Sequence, residues 1–105
     1  FPTWLSPEQA RVMTISEKAD EFAQQVYQTL QNRGVRVTLD TSADKIGAKI
    51  RNAQLEKVPY MLVVGQKEAE SGVVSVRHQR RGDLGTQALA DFVEQITAEV
   101  AERRL

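Results

Sequence analysis

The 105 residues contain no cysteine. That absence excludes disulfides, thiolate metal sites and thiol nucleophiles, and it fits a reducing compartment. Histidine occurs once, at His78. The chain therefore lacks the clustered His and Cys of a zinc site, and it lacks the base that a serine or lysine nucleophile needs beside it. No G-x-S-x-G elbow, Walker A loop or G-x-G-x-x-G fingerprint occurs. Net charge is missing too: fourteen Lys plus Arg balance fourteen Asp plus Glu. No global field draws the chain to nucleic acid or anionic membrane, so any such binding has to come from a local patch. No apolar run approaches the length of a membrane span, and no signal peptide is present.

What the sequence does have is ordinary globular composition, 41% hydrophobic and 27% charged, far from the signature of disorder. The length suits one domain over residues 1–105. Residues 1–10, FPTWLSPEQA, read as an extended lead-in whose Trp4 the rest of a larger protein would cover. The chain begins with Phe1 rather than Met, which points to a piece of a longer protein.

RVMTI at 11–15 reads as a first strand. Ser16 follows as an N-cap, with Glu17, Asp20 and Glu21 where acids favour the helix dipole. Ala19, Phe22, Ala23, Val26, Tyr27 and Leu30 then recur at helical spacing, and Gly34 sits where a left-handed cap belongs. VRVTLD at 35–40 alternates like a strand with one buried face. TSAD offers polar caps for a second helix, in which Ile46, Ile50 and Ala53 share the apolar face, Lys45, Lys49 and Asn52 line one flank, and Arg51 lies on the other side. Pro59 ends that helix near Lys57. YMLVV at 60–64 has no polar face, as befits a central strand covered on both sides. GQKEAESG reads as a hairpin connection into VVSVRH at 73–78, where Val74, Val76 and His78 face one way and Val73, Ser75 and Arg77 the other. Leu89, Phe92, Val93, Ile96 and Val100 form a closing helix that runs into Arg103 and Arg104. The expected order is βαβαββα, an α/β mixed sheet with residues 40–45 near the carboxyl ends of its parallel strands, where ligands gather in such folds.

Arg77, His78, Arg80 and Arg81 make the densest basic cluster, able to hold phosphate or the O6 and N7 acceptors of guanine, and equally able to be a solvated strand end. GDLG at 82–85 matches the short GXXG pattern of KH domains, but its place before the last helix reads better as a turn with an Asp cap. Lys45 and Lys49 fit a solvated helix face as well as a binding stripe.

Taken together, FPTWLSPEQ, KIGAKIRNAQLEKVPYMLVVGQKEAESG, VRHQRRGDLG and the closing amphipathic helix resemble the C-terminal anticodon-binding domain of threonyl-tRNA synthetase, a class IIa aminoacyl-tRNA synthetase. The resemblance spans essentially the whole chain. It implies a mixed, mainly parallel five-stranded sheet flanked by three helices, with a short fifth strand around Arg81 to Gly85. Prolyl-, histidyl- and glycyl-tRNA synthetases share that fold.

The resemblance further implies that the domain reads the middle G and third U of threonine anticodons and catalyses nothing by itself. No cofactor is expected in it. ATP, magnesium and zinc would belong to an upstream catalytic core of a cytoplasmic, homodimeric ligase, with no membrane partner. Its contacts map onto Lys45, Arg51, Glu68 and Arg77, with Lys49, Asn52 and Arg80 as candidates for backbone contacts. A carboxylate at Glu68 suits the N1–H and N2–H2 donors of guanine, and Arg77 suits O6 or phosphate. Where relatives often read R-N-E-K, this chain has Ser42, Ala43, Asp44 and Lys45, so an alanine stands in place of the asparagine associated with the third base. Two other classes remain open: a non-catalytic sensor or protein-interaction module recruited from a synthetase, and a small-ligand α/β domain, which would need a glycine-rich loop that TISEKAD does not provide.

Overall fold

The computed structural model describes residues 6–41 and 44–102. Trp4, the Ser42–Ala43 pair and the terminal arginines Arg103 and Arg104 lie outside the described residues. Strands β1 (Ala10–Thr14), β2 (Val37–Asp40), β3 (Tyr60–Val64), β4 (Val73–His78) and β5 (Gly82–Ala88) alternate with helices α1 (Asp20–Asn32), α2 (Ile46–Leu55), α3 (Gln66–Ser71) and α4 (Leu89–Ala101). The sheet order is β2-β1-β3-β4-β5. β1 pairs in parallel with β2 and β3, whereas β3–β4 and β4–β5 are antiparallel. The sheet is mixed as expected, but parallel and antiparallel neighbours are equal in number rather than mainly parallel.

β3 is the middle strand, and all five of its residues are buried. Its pleat sorts them onto two cores. Tyr60, Leu62 and Val64 join Val12, Val74 and Val76 beneath α1 and α4, which contribute Ala23, Val26, Leu30, Phe92 and Ile96. Met61 and Val63 join Met13 beneath α2, which supplies Ala53 with Ile46 and Ile50 at its rim. The second core is the smaller, because one ten-residue helix covers that face.

Several local expectations change. Ser16 precedes a 3-10 turn (Glu17–Ala19) and makes no side-chain cap bond. α2 opens on Lys45, again without a side-chain cap. The expected hairpin at 65–72 is helix α3, a fourth helix, so the order is βαβαβαββα. Gln66, Lys67, Glu68, Ala69 and Glu70 are strong helix formers, and the Glu68 carboxylate accepts the Gly65 N–H at 3.2 Å, which closes the first turn. Gly34 does adopt a left-handed backbone, φ +82°.

The fifth strand exists and runs to Ala88, beyond its expected end at Gly85. Its register slips once: Val76 faces Gly85 and Arg77 faces Asp83, which leaves Leu84 extra. Gly85, at φ +84°, takes the left-handed position that a bulge of this kind requires. The lead-in residues that are described are pinned rather than loose. Gln9 is buried, its N–H donates to the Arg36 carbonyl at 2.7 Å, and its side-chain Oε1 accepts the Arg36 N–H at 2.9 Å.

Candidate nucleic-acid interface

The helices cover the sheet unequally. α1 and α4 share one face, and among the described residues α2 alone packs on the other, over Met13, Met61 and Val63. On that second face the neighbours toward the β5 edge are Ser75 and Arg77 on β4, paired across to Thr86 and Asp83 on β5. Ser75 and Arg77 are half-buried, and Thr86 and Asp83 are exposed. The result, among the described residues, is a bare strip of polar sheet beside a helix.

Arg77 dominates this strip. Its Nε is buried and has no hydrogen-bond partner among the described residues, although buried polar atoms are nearly always satisfied. Asp83 lies directly across the strand pair, but its Oδ1 accepts the Gly85 N–H at 2.8 Å and steadies the bulge. Arg77 is thus a half-buried cation on the strip whose inner donor makes no hydrogen bond among the described residues.

The other expected residues fall into groups. Lys45, Arg51 and Asn52 are exposed on α2, with Lys45 at its N-cap position. Glu68 is half-buried on α3 beyond the opposite end of β4. Val73, where β4 leaves α3, stands four positions before Arg77, roughly 13 Å at strand rise. Glu68 and Arg77 therefore stand at different ends of β4 rather than side by side, and the Glu68 carboxylate is bonded to the Gly65 N–H. Arg80 is exposed in the β4–β5 turn. Lys49 departs from expectation: it is 2% exposed, with its ammonium bonded inside the protein. It follows Ile46 by three residues and precedes Ala53 by four, so helical spacing turns it toward the core.

The basic cluster is split by strand alternation. Arg77 faces the open strip, whereas His78 and Arg81 fold onto the α4 face. His78 Nδ1 accepts the N–H groups of Arg80 and Arg81 at 3.1 and 3.3 Å. Its ring stands edge-on to Tyr60 at 5.0 Å. The Tyr60 hydroxyl donates to Glu99 Oε1 at 2.8 Å and accepts from Arg81 Nη2 at 3.1 Å. Burial, and then the Glu99 hydrogen bond, push the Tyr60 hydroxyl up to about 12. Sequence reasoning did not find this network. The alternation of VVSVRH was the available signal, since it puts His78 on the covered face.

Burial first, and then the Arg81 charge, hold His78 below its ordinary value of 6.5. The unfolded chain keeps a proton on this histidine up to about pH 6.5 and the folded chain releases it lower, so below about 6.5 the unfolded state binds more protons. Stability is fully present above that pH and is lost as the pH falls through the folded-state value. We expect the thermal midpoint to fall between about pH 7.5 and about pH 5.5, and His78→Asn, which keeps a turn acceptor, to flatten that slope. An unchanged slope in the variant would refute the assignment, because the chain holds no other histidine.

A second ionic cluster lies on the opposite face, the one that α2 covers, toward its β2 edge. Arg11 grips Glu8 with two donors at 2.7 and 2.9 Å and reaches Glu56 at 2.6 Å. Burial pushes the Glu8 carboxyl up, but bonds from Arg11 and Thr38 outweigh it and hold Glu8 below its ordinary range. Among the described residues, no group of three His, Cys, Asp or Glu side chains could hold a metal ion, and no helix is long and apolar enough to cross a membrane.

A mixed five-stranded sheet carries a half-covered face beside a helix with exposed polar side chains, the architecture of a small α/β domain with an open sheet surface. The family model described as anticodon binding domain matches residues 9–99; the chain belongs to the anticodon-binding domain family. Its sequence likeness is to threonine–tRNA ligases. It is 53% identical over 105 residues to that of Caldanaerobacter subterraneus subsp. tengcongensis, covering 100% of this chain and 16% of the relative. It is 51% identical over 104 residues to that of Carboxydothermus hydrogenoformans, covering 99% and 16%. The chain thus spans about one-sixth of the length of these relatives. Among solved structures, the RNA binding domain of threonyl-tRNA synthetase from Cryptosporidium parvum Iowa II superposes with a TM-score of 0.88 at 38% identity, over 93% of this chain and 25% of that one. A Nostoc histidyl-tRNA synthetase superposes with a TM-score of 0.82 at 22% identity, over 90% of this chain and 23% of that one, a likeness of fold.

Proposed function

We propose that this chain is the anticodon reader of a threonine–tRNA ligase and grips the middle G and third U of threonine anticodons. The observation that carries it is the bare strip of β4 and β5 with the unused Arg77 Nε. Loop bases splayed out of a stem expose their Watson–Crick edges. Arg77 donates to guanine O6 or to phosphate, while Glu68, entering from the α3 end, accepts from N1–H and N2–H2, a donor edge that only guanine offers. Lys45 and Arg51 stand on different flanks of α2 and serve different nucleotides, with Asn52 and Arg80 near the backbone. The third base is read without an asparagine at Ala43, through Lys45, Ser42, backbone groups or a neighbouring residue of α2.

Activation of threonine with ATP, with its magnesium and zinc, belongs in this reading to a catalytic core elsewhere in a homodimeric, cytoplasmic parent. A neutral chain makes few phosphate contacts, so its affinity alone is weak and falls only shallowly as salt rises.

Adding a threonine anticodon stem-loop to the 15N-labelled chain tests the location. Amide shifts should concentrate at Ser75, Arg77, Thr86 and the exposed side of α2 and leave Leu30 and Phe92 unmoved. Shifts confined to the α1 and α4 face contradict the reading. A chain that binds no anticodon loop but captures a protein partner supports the recruited-module alternative.

A further inference from the structure

Lys49 is the buried cation that the RNA contacts do not use. Its Nζ donates to the Thr14 carbonyl at 2.9 Å, to the Thr14 hydroxyl at 3.4 Å and to the Asp40 carbonyl at 3.4 Å. Thr14 and Asp40 are the last residues of β1 and β2, so one ammonium ties together the carboxyl ends of two parallel strands. Its backbone acts on the same region. The N–H groups of Ala48 and Lys49 donate to the Lys45 carbonyl at 3.0 and 3.1 Å. Lys49 therefore holds both ends of the connection between β2 and α2, at Asp40 with its side chain and at Lys45 with its main chain.

A buried ammonium is costly to desolvate, and a methionine of similar length would fill the site without that cost. What the ammonium adds is fixed geometry. We infer that Lys49 is a positioning residue for RNA recognition: by clamping the strand ends to the first turn of α2, it sets where Lys45 stands over the sheet edge. The inference rests on the anticodon reading. It assigns Lys49 no contact with RNA, unlike the backbone contact that its sequence position suggests.

The test compares the 105-residue chain with Lys49→Met, and with Lys49→Arg should the methionine variant not fold, each alone and combined with Lys45→Ala. Two quantities are read: amide exchange in the first turn of α2 relative to β3, and affinity for a threonine anticodon stem-loop. Loss of the clamp should speed exchange in the α2 turn at least about tenfold with β3 unchanged, and weaken stem-loop binding about tenfold, the scale of one lost hydrogen bond. Because the clamp acts through Lys45, the double variant should bind no more weakly than Lys45→Ala alone. Additive losses, or exchange and affinity unchanged by the substitution, overturn the inference while leaving the anticodon reading intact. A wild-type chain with no affinity for the stem-loop overturns both.

Discussion

Arg77→Met should erase preference for the middle guanine while leaving the fold as stable as before or more so. The two halves of that expectation come from one observation. Arg77 stands half-buried on the open strip, and its Nε is buried without a partner among the described residues. An unsatisfied buried donor costs about 1–3 kcal/mol, so exchanging it for an apolar side chain of similar length removes a cost from the folded state. A bidentate contact to guanine O6 and N7 is worth about 1–3 kcal/mol of discrimination, on the order of ten- to a hundredfold in affinity ratio.

Opposite signs for stability and recognition are what a functional residue under strain produces, and what a structural one does not. The Arg77→Lys variant should keep much of the salt-dependent attraction but lose the discrimination, because an ammonium cannot reproduce the planar fork. Thermal unfolding and paired stem-loop titrations decide the matter. A variant whose midpoint drops by several degrees while discrimination persists would show Arg77 to be part of the scaffold.

Leu62→Ala should be the most damaging truncation on the platform side. Leu62 lies at the centre of β3, fully buried, with β1 and β4 on either side and α1 and α4 above it. Core Leu→Ala changes cost roughly 2–5 kcal/mol, against a total of roughly 5–15 kcal/mol for a domain. The midpoint should fall by roughly 10–25 °C, with little change in denaturant m-value, since the unfolding remains two-state. Leu55→Ala provides the contrast. That leucine is 74% exposed on α2, and its loss should stay within about 0.5 kcal/mol. Equal effects at the two sites would mean that β3 does not anchor the sheet.

β3 was legible in the sequence because the apolar residues between Pro59 and Gly65 leave no polar side for a solvent-facing strand. The split of the basic cluster was legible in principle, since Arg77 and His78 are neighbours in an alternating strand and have to face opposite ways. α3 was not. Two glycines flanking a short polar stretch describe a turn as well as a helix, and the capping bond from Gly65 to Glu68 that decides between them is a matter of geometry. That misjudged segment also carried Glu68, so its separation from Arg77 could not be seen in advance.

Lys49 was missed for a different reason. Composition and helical flank assign a lysine to solvent, and only the convergence of the β1 and β2 carbonyls, a tertiary feature, gives its ammonium a place inside. Arg51 and Asn52 are exposed on α2 and Lys45 is exposed at its N-cap, positions that need nothing more than a solvent-facing helix side.

The most direct measurement is a titration of the chain with a threonine anticodon stem-loop and with the same loop carrying A in place of the middle G, at low and moderate salt. Both loops should bind more weakly as salt rises, since phosphate contacts are screened. A preference for G of about tenfold or more should survive at the higher salt, because the base contacts do not depend on released counterions. Equal binding of the two loops, lost together as salt is added, would contradict base readout and reduce the bare strip to a surface for phosphate alone.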